Sequence, residues 1–232
     1  MSVKIQKAEK ISELTTSRLS VYLRCLNELS AEGQKTVSSE GLAGRFHLNS
    51  AQIRKDLAYF GEFGVRGVGY YIENLRDHLT NILGLNEEHR VGIIGAGRLG
   101  AALADYYSFA KSNFHVAALF DTDPNKIGKS IGDTKITVYD LNTLPQVVKK
   151  EKIDVAVIAV PAAFAQPVLE VVVQAGIKAV LNFAPTPLKA PENVKLKTVD
   201  LTISLEGLSF FLSKPSAEHR NPRPKAARRE KE

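Results

Sequence analysis

The stretch Val91-Gly92-Ile93-Ile94-Gly95-Ala96-Gly97-Arg98-Leu99-Gly100 opens on a short apolar run and closes on three glycines at G-x-G-x-x-G spacing. An apolar helical run at residues 101–109 follows, so the motif has the strand–turn–helix setting that gives it meaning. Gly95 permits a tight turn, Gly97 lets a pyrophosphate come close to the backbone, and Gly100 lets the helix touch the strand. A pyrophosphate there sits on a helix N-terminus, where N–H groups and the helix dipole favour an anion. Ala96, Arg98 and Leu99 complete the loop. Asp121 stands twenty-one residues after Gly100, at the end of the next apolar run. A carboxylate there accepts from a ribose hydroxyl and repels a 2′-phosphate, so the expected cofactor is NADH or NAD⁺ rather than its phosphorylated relative.

Working outward, short apolar runs at 91–94, 116–120, 155–160 and 179–183 alternate with helical stretches. This is the pattern of βαβ units and predicts an α/β, doubly wound Rossmann domain with a parallel sheet. Ligands of such sheets bind outside the C-terminal strand ends. Val160 and Pro161 end one strand, and Asn182 and Pro185 end another, so all four join the expected cofactor site. Asn182 can hydrogen-bond a carboxamide; the alternative is a turn residue. Asp123 and Lys126 are placed at the adenosine end, with capping of a surface turn as the alternative.

Upstream of a polar connector at 84–89 the signals are helical. Leu19, Tyr22, Leu23, Leu26 and Leu29 share one helical face, and Gly33 ends that helix. A second helix starts at Ser38 or Ser39 and carries Leu42, Ala43 and Phe46 inward. Asn49 caps a third, with Gln52 in capping-box position. Helix, tight turn, helix is the helix-turn-helix pattern. At about 100° per residue, Ile53, Leu57 and Phe60 form the buried face of the third helix. Gln52, Lys55 and Tyr59 point away and Arg54 lies on the flank, the side-chain types that reach base edges and phosphates in a major groove. Ser50 joins them at the helix start. Four glycines within residues 61–70 allow a hairpin, hence a wing with Arg66 near its tip, suited to a minor groove. Taken singly, these are a solvated helix face and a glycine-rich loop. Together they predict a winged helix-turn-helix that binds double-stranded DNA.

Length and composition bound the rest. The 232 residues suit one large or two small domains, and 44% hydrophobic with 24% charged residues is ordinary for a globular protein. The expected organisation is a winged helix at 1–84, the Rossmann domain at 85–199, a helix at 200–213 and a tail at 214–232. The net charge of +6 is uneven, because the last nineteen residues hold seven Lys/Arg against three Asp/Glu. That proline-containing tail has no apolar periodicity and is expected to stay disordered. Cys25 is the single cysteine, the five histidines show no metal-ligand spacing, and no metal is expected. No apolar run approaches the ~20 residues of a membrane span and no signal sequence opens the chain, so a cytoplasmic protein is expected. Removing the first eighty residues and the tail leaves about 130, one dinucleotide-binding domain with no substrate domain. No Ser-Tyr-x-x-x-Lys dyad supplies chemistry. A sensor is expected rather than an enzyme, the alternative being a small NAD- or CoA-binding enzyme subunit with a helical extension.

The segments Ser17-Arg18-Leu19, Tyr22-Leu23-Arg24, Gln52-Ile53-Arg54-Lys55-Asp56-Leu57, Phe60-Gly61, Arg66-Gly67-Val68-Gly69-Tyr70, the glycine loop, Phe120-Asp121-Thr122-Asp123 and Asn182-Phe183-Ala184-Pro185 closely resemble the Rex family of redox-sensing transcriptional repressors. The likeness runs from about residue 12 to 213. It implies a homodimer that binds operator DNA when NADH is scarce and releases it when NADH binds. It also gives meaning to Leu201, Leu205, Leu208 and Leu212, an amphipathic pattern that in Rex-like proteins is a helix swapped onto the partner subunit. By the same resemblance Asp200 pairs with Arg24 or Tyr106 according to the cofactor state. The sequence departs from the family in Leu201, where some members carry an aromatic, in Gly41, where a Glu is common, and in the basic tail.

Overall fold

The computed structural model describes residues 12–106, 112–133 and 135–213; the tail at 214–232 lies outside them. The described chain forms two units, one of residues 12–89 with 112–115, the other of 90–106 with 116–213.

In the first unit, α1 (Glu13–Ala31) begins at Ser12, whose side chain accepts from the Thr15 N–H. Its apolar stripe is buried as the periodicity predicts, and Gly33 turns the chain at φ +79°. After β1 (Thr36–Val37), Ser38 rather than Ser39 caps α2 (Ser39–Phe46). His47 then adopts the left-handed conformation, and Asn49 caps α3 (Ser50–Phe60) by accepting from the Gln52 N–H. The capping box is only half made, because the Gln52 side chain reaches forward to Asp56 instead. Next come β2 (Gly64–Val65), β3 (Gly69–Tyr71) and α4 (Ile72–Ile82). The three short strands pair antiparallel in the order β1-β3-β2. Gly69 is required where β3 crosses β1: a Cβ would lie 2.5 Å from the Val37 carbonyl oxygen. Leu19, Leu26, Leu42, Ile53, Leu57, Ile72 and Leu79 meet in one core with Tyr70 of β3, so four helices and the wing fold around a single apolar centre.

The second unit is the α/β half, apart from His89 at the start of its first strand and Phe114 and His115 at the start of its second, which group with the first unit. Its strands are β4 (His89–Ile94), β5 (Phe114–Asp121), β6 (Ser130–Ile131), β7 (Ile136–Asp140), β8 (Val155–Ile158), β9 (Ala179–Asn182) and β10 (Lys195–Thr198). Helices α5 (Arg98–Ala104), α6 (Leu144–Glu151) and α7 (Ala162–Gln174) connect them, and α8 (Leu201–Ser213) ends the described chain. The sheet order is β10-β9-β8-β4-β5-β7-β6, with β6 running antiparallel to β7 at the edge. Setting β6 aside, this is the doubly wound order in which the chain reverses direction between its first and fourth strands. Here those are β4 and β8, parallel neighbours with Val91 opposite Val155 and Ile94 opposite Ile158. The switch point therefore lies at the carboxyl end of β4, where the glycine loop begins. Phe120, Ala156, Ile158, Leu169 and Val172 fill the core between sheet and helices. The helix after the glycine loop is shorter than its apolar run, ending at Ala104.

Helix α8 forms where the leucine spacing predicts it. Every residue of it is exposed in the single chain, with Leu201, Ile203, Leu205, Leu208, Phe210, Phe211 and Leu212 all more than half open to solvent.

Candidate nucleotide site and DNA-reading face

The glycine loop is built by backbone collisions avoided. Gly95 takes φ +107°, donates its N–H to the Phe120 carbonyl at 2.8 Å, and would put a Cβ 2.5 Å from the Ala159 carbonyl oxygen. A Cβ on Gly100 would lie 1.9 Å from the Gly95 carbonyl oxygen. Gly97 differs: its φ is an ordinary −86° and nothing lies within 4 Å of its Cβ position. Its smallness leaves open space in front of an α5 N-terminus that no side chain caps. Gly95 and Gly100 thus stand where no side chain fits, and the space beside Gly97 suits an anion. Arg98 and Leu99 are exposed on the rim and Ala96 is buried beneath it.

Asp121 ends β5 next to this loop. Its carboxylate accepts from the N–H groups of Ala96 (3.0 Å), Thr122 (2.8 Å) and Asp123 (2.9 Å) and from Lys126 Nζ (2.8 Å). Burial alone pushes its pKa up, but the Lys126 hydrogen bond and the backbone N–H groups outweigh burial and hold it below the usual aspartate value. The group is therefore an anion ready to accept. Three of its four donors are fixed backbone, so Lys126 is the one that can give way to a ribose hydroxyl. Asp123 instead accepts from the backbone and side chain of Asn125, the turn-capping alternative.

At the neighbouring strand ends, Val160 is half-buried with its side chain beside Gly95, and Pro161 leads into α7. Pro185 is exposed. Asn182 takes the turn alternative. It is fully buried, its amide nitrogen donates to the Ala184 and Thr186 carbonyls, and its oxygen accepts the Ala184 N–H. The side chain is committed to the strand-end turn. Asn182→Ala is expected to lower stability by about 2 kcal/mol, because buried backbone groups lose their partners. Urea denaturation measures that loss, and nicotinamide nucleotide affinity measured on the folded variant should change little.

On the other unit, α3 presents Lys55 and Tyr59 to solvent, with Tyr59 edge-on to Phe60 and Ser50 half-buried at the helix start. Arg66 is exposed in a turn closed by the Val68 N–H and Val65 carbonyl at 3.0 Å, with Gly67 at φ +81° as a type II turn requires at its third residue. Two predicted base readers have partners that the helical wheel does not reveal. Arg54 donates to Ser39 Oγ at 2.8 Å and pairs with Glu40, both on α2. Gln52 donates from Nε2 to Asp56 at 2.7 Å. Asp56 itself was not singled out from the sequence, although on the same wheel it falls near −60°, beside the buried Ile53 and Leu57. A carboxylate on a buried face signals a partner, and the partner is Arg18, four residues before Tyr22 on α1.

The residues assigned to the switch are divided between the units. Arg24 is exposed on α1 and lines a cavity of about 370 Å³ with Leu23, Asn27, Arg76 and Thr80. Tyr106 is half-exposed just after α5, and Asp200 accepts the Thr202 N–H at 2.8 Å at the start of α8. Cys25 is buried in the α1 stripe, where burial pushes its thiol pKa up and keeps it an apolar packing group.

The family described as a putative DNA-binding protein N-terminus matches residues 10–58, and the CoA binding domain family matches residues 86–186. The redox-sensing transcriptional repressor Rex of Carboxydothermus hydrogenoformans is 48% identical over 204 residues, spanning 88% of this chain and 97% of the relative. The chain belongs to the Rex family. Rex 1 of Thermotoga maritima is 45% identical over 203 residues, covering 88% of this chain and 96% of the relative. Among solved structures, the Rex-family repressor RSP in complex with β-NAD⁺ and operator DNA superposes with a TM-score of 0.82 at 40% identity, covering 87% of this chain and 92% of that one. RSP in complex with β-NADH gives 0.78 at 38%, covering 88% and 94%. The Rex relatives account for the N-terminal half and the nucleotide loop together, whereas the CoA-binding likeness covers the second alone.

Proposed function

We propose that this chain is a transcriptional repressor that senses the NADH/NAD⁺ ratio, holding operator DNA when NADH is low and releasing it when NADH binds. The observation that carries the reading is the union, in one chain, of a capped helix-turn-helix with a wing and a glycine loop whose open face lies at Gly97. A 40% identical neighbour of the same fold holds both β-NAD⁺ and operator DNA. Ser50, Gln52, Arg54, Lys55 and Tyr59 of α3, with Arg66 of the wing, form the DNA face. Gly95, Ala96, Gly97, Arg98, Leu99 and Gly100 hold the pyrophosphate, and Asp121 the ribose, with Val160 and Pro161 towards the nicotinamide. The relatives are named repressors, which sets aside the enzyme-subunit alternative. The protein works in the cytoplasm, where its operator is.

The working form is a homodimer. A helix apolar over most of its circumference belongs in an interior. In α8 the apolar set extends past the leucine stripe to Ile203, Phe210 and Phe211. A second copy of the chain, exchanging this helix, covers it. NAD⁺ and NADH differ by one charge and by ring planarity, so an apolar pocket favours the neutral reduced ring. Asp200 at the foot of α8, paired with Arg24 in one state and Tyr106 in the other, gives the two-state contact that a ligand of unequal affinity can bias.

The test is fluorescence anisotropy of the protein on a duplex from its own promoter region, at fixed salt, with NAD⁺ and then NADH. Binding should be tight with NAD⁺ and reversed by NADH alone. Tyr106→Phe and Asp200→Ala should still bind DNA and cofactor while losing the release. Intact release in both variants would remove the switch assignment, and binding indifferent to either nucleotide would remove the sensor.

A further inference from the structure

Asp56 lies inside the recognition helix with its side chain only 4% exposed. Its two oxygens take four donors. Oδ2 accepts from Arg18 Nε (2.5 Å) and the Tyr22 hydroxyl (2.9 Å), and Oδ1 accepts from Arg18 Nη2 (2.7 Å) and Gln52 Nε2 (2.7 Å). An ionised carboxylate only accepts, so the Gln52 amide can face it through its NH₂ end alone. The flipped amide would set Oε1 against Oδ1, lone pair against lone pair.

We propose that Asp56 is a positioning residue for base readout, which fixes the amide of Gln52 so that Oε1 is the end left to the major groove. The proposal rests on α3 being the DNA-reading helix. A freely rotating glutamine serves any base, because its amide offers a donor on one side and an acceptor on the other. One held by its nitrogen offers a carbonyl, which pairs with an exocyclic amino group, adenine N6 or cytosine N4, and is repelled by guanine O6 or thymine O4. Arg18 and Tyr22 belong to α1 and not to the recognition helix. They anchor Asp56 from α1, and through it the fold of helix one sets which base helix three accepts.

The test uses the full-length protein. Random-sequence duplexes are selected on the wild type, and each position of the enriched site is then varied and measured by anisotropy. The position flattened by Gln52→Ala identifies the base opposite residue 52. There the wild type should prefer an amino-bearing base by roughly 5- to 100-fold, the worth of one good base contact. The isosteric Asp56→Asn should abolish that preference at that position alone, and should add nothing in the Gln52→Ala background. A uniform weakening on every duplex with the base profile intact would make Asp56 a strut of the fold and overturn the proposal.

A second measurement does not depend on how the Asp56 variant folds. In ¹⁵N-labelled wild type, the Gln52 side-chain amide signal, identified by its loss in Gln52→Ala, should exchange with water at least about tenfold more slowly than that of the exposed Gln34, as a hydrogen-bonded group does. Equal exchange overturns the proposal. A wild type that enriches no sequence overturns the DNA reading itself, an outcome separate from either of these.

Discussion

Gly100→Ala is expected to abolish nucleotide binding and to destabilise the α/β unit by about 3 kcal/mol or more, the upper end of what overpacking usually costs. The added methyl would stand 1.9 Å from the carbonyl oxygen of Gly95, a backbone atom that no rotamer change can move. Gly95 has no room to retreat, since its own Cβ position is 2.5 Å from the Ala159 carbonyl oxygen. The helix must therefore lift from the β4 strand end, and the loop that shapes the pyrophosphate site goes with it. Gly97→Ala separates the two effects. Nothing lies within 4 Å of that Cβ position and the backbone is unstrained, so the fold should be unchanged within about 0.5 kcal/mol. Yet the methyl fills the space where the pyrophosphate would approach, and NADH affinity should fall by a factor of ten or more, about 1.4 kcal/mol. Thermal denaturation and calorimetric titration with NADH read the two quantities independently. The Gly97 variant should also stay on operator DNA whatever the NADH concentration, and NADH-dependent release in that variant would contradict the placement of the site.

Which features the sequence discloses follows from how local their causes are. The glycine loop is legible because each glycine answers a constraint within a few residues or on the adjoining strand. The four apolar runs become strands because both faces of a parallel sheet are buried, which concentrates Val, Ile and Ala. By contrast β7 (Ile-Thr-Val-Tyr-Asp) and β10 (Lys-Leu-Lys-Thr) lie towards the sheet margins, with one buried residue between them, so polar residues interrupt their signal. The caps at Ser38 and Asn49 are visible for the same local reason. What periodicity alone misses are side chains whose partners lie off their own element: Arg54 with Glu40, and Lys126 with Asp121. A helical wheel gives a direction and says nothing of what waits there. The charge on the buried side of α3 is the one such case that the wheel does expose.

That charge gives the other large effect. Asp56→Ala should cost the winged-helix unit about 3 kcal/mol, the lower end of the range for breaking a buried ion pair. The lower end applies because the Arg18 side chain is 34% exposed and can rehydrate. Tyr22, only 1% exposed, cannot, and its hydroxyl is left without an acceptor. In the wild type, burial and then the Asp56 carboxylate push the Tyr22 phenol up, so it remains a donor at any working pH. For Asp56, burial alone would raise the carboxyl, but the hydrogen bonds from Arg18, Gln52 and Tyr22 outweigh it and the folded-state value lies below the ordinary one. A depressed carboxyl pKa stabilises the fold above the unfolded value of about 4, and that contribution is lost as pH falls through the folded value. Urea midpoints at pH 7 and pH 3 should therefore show a wide gap between wild type and Asp56→Ala at neutral pH that narrows in acid. A gap equal at both pH values would mean that the variant loses packing rather than charge. Because the same carboxylate fixes the Gln52 amide, operator affinity of the wild type should begin to fall in the same acid range.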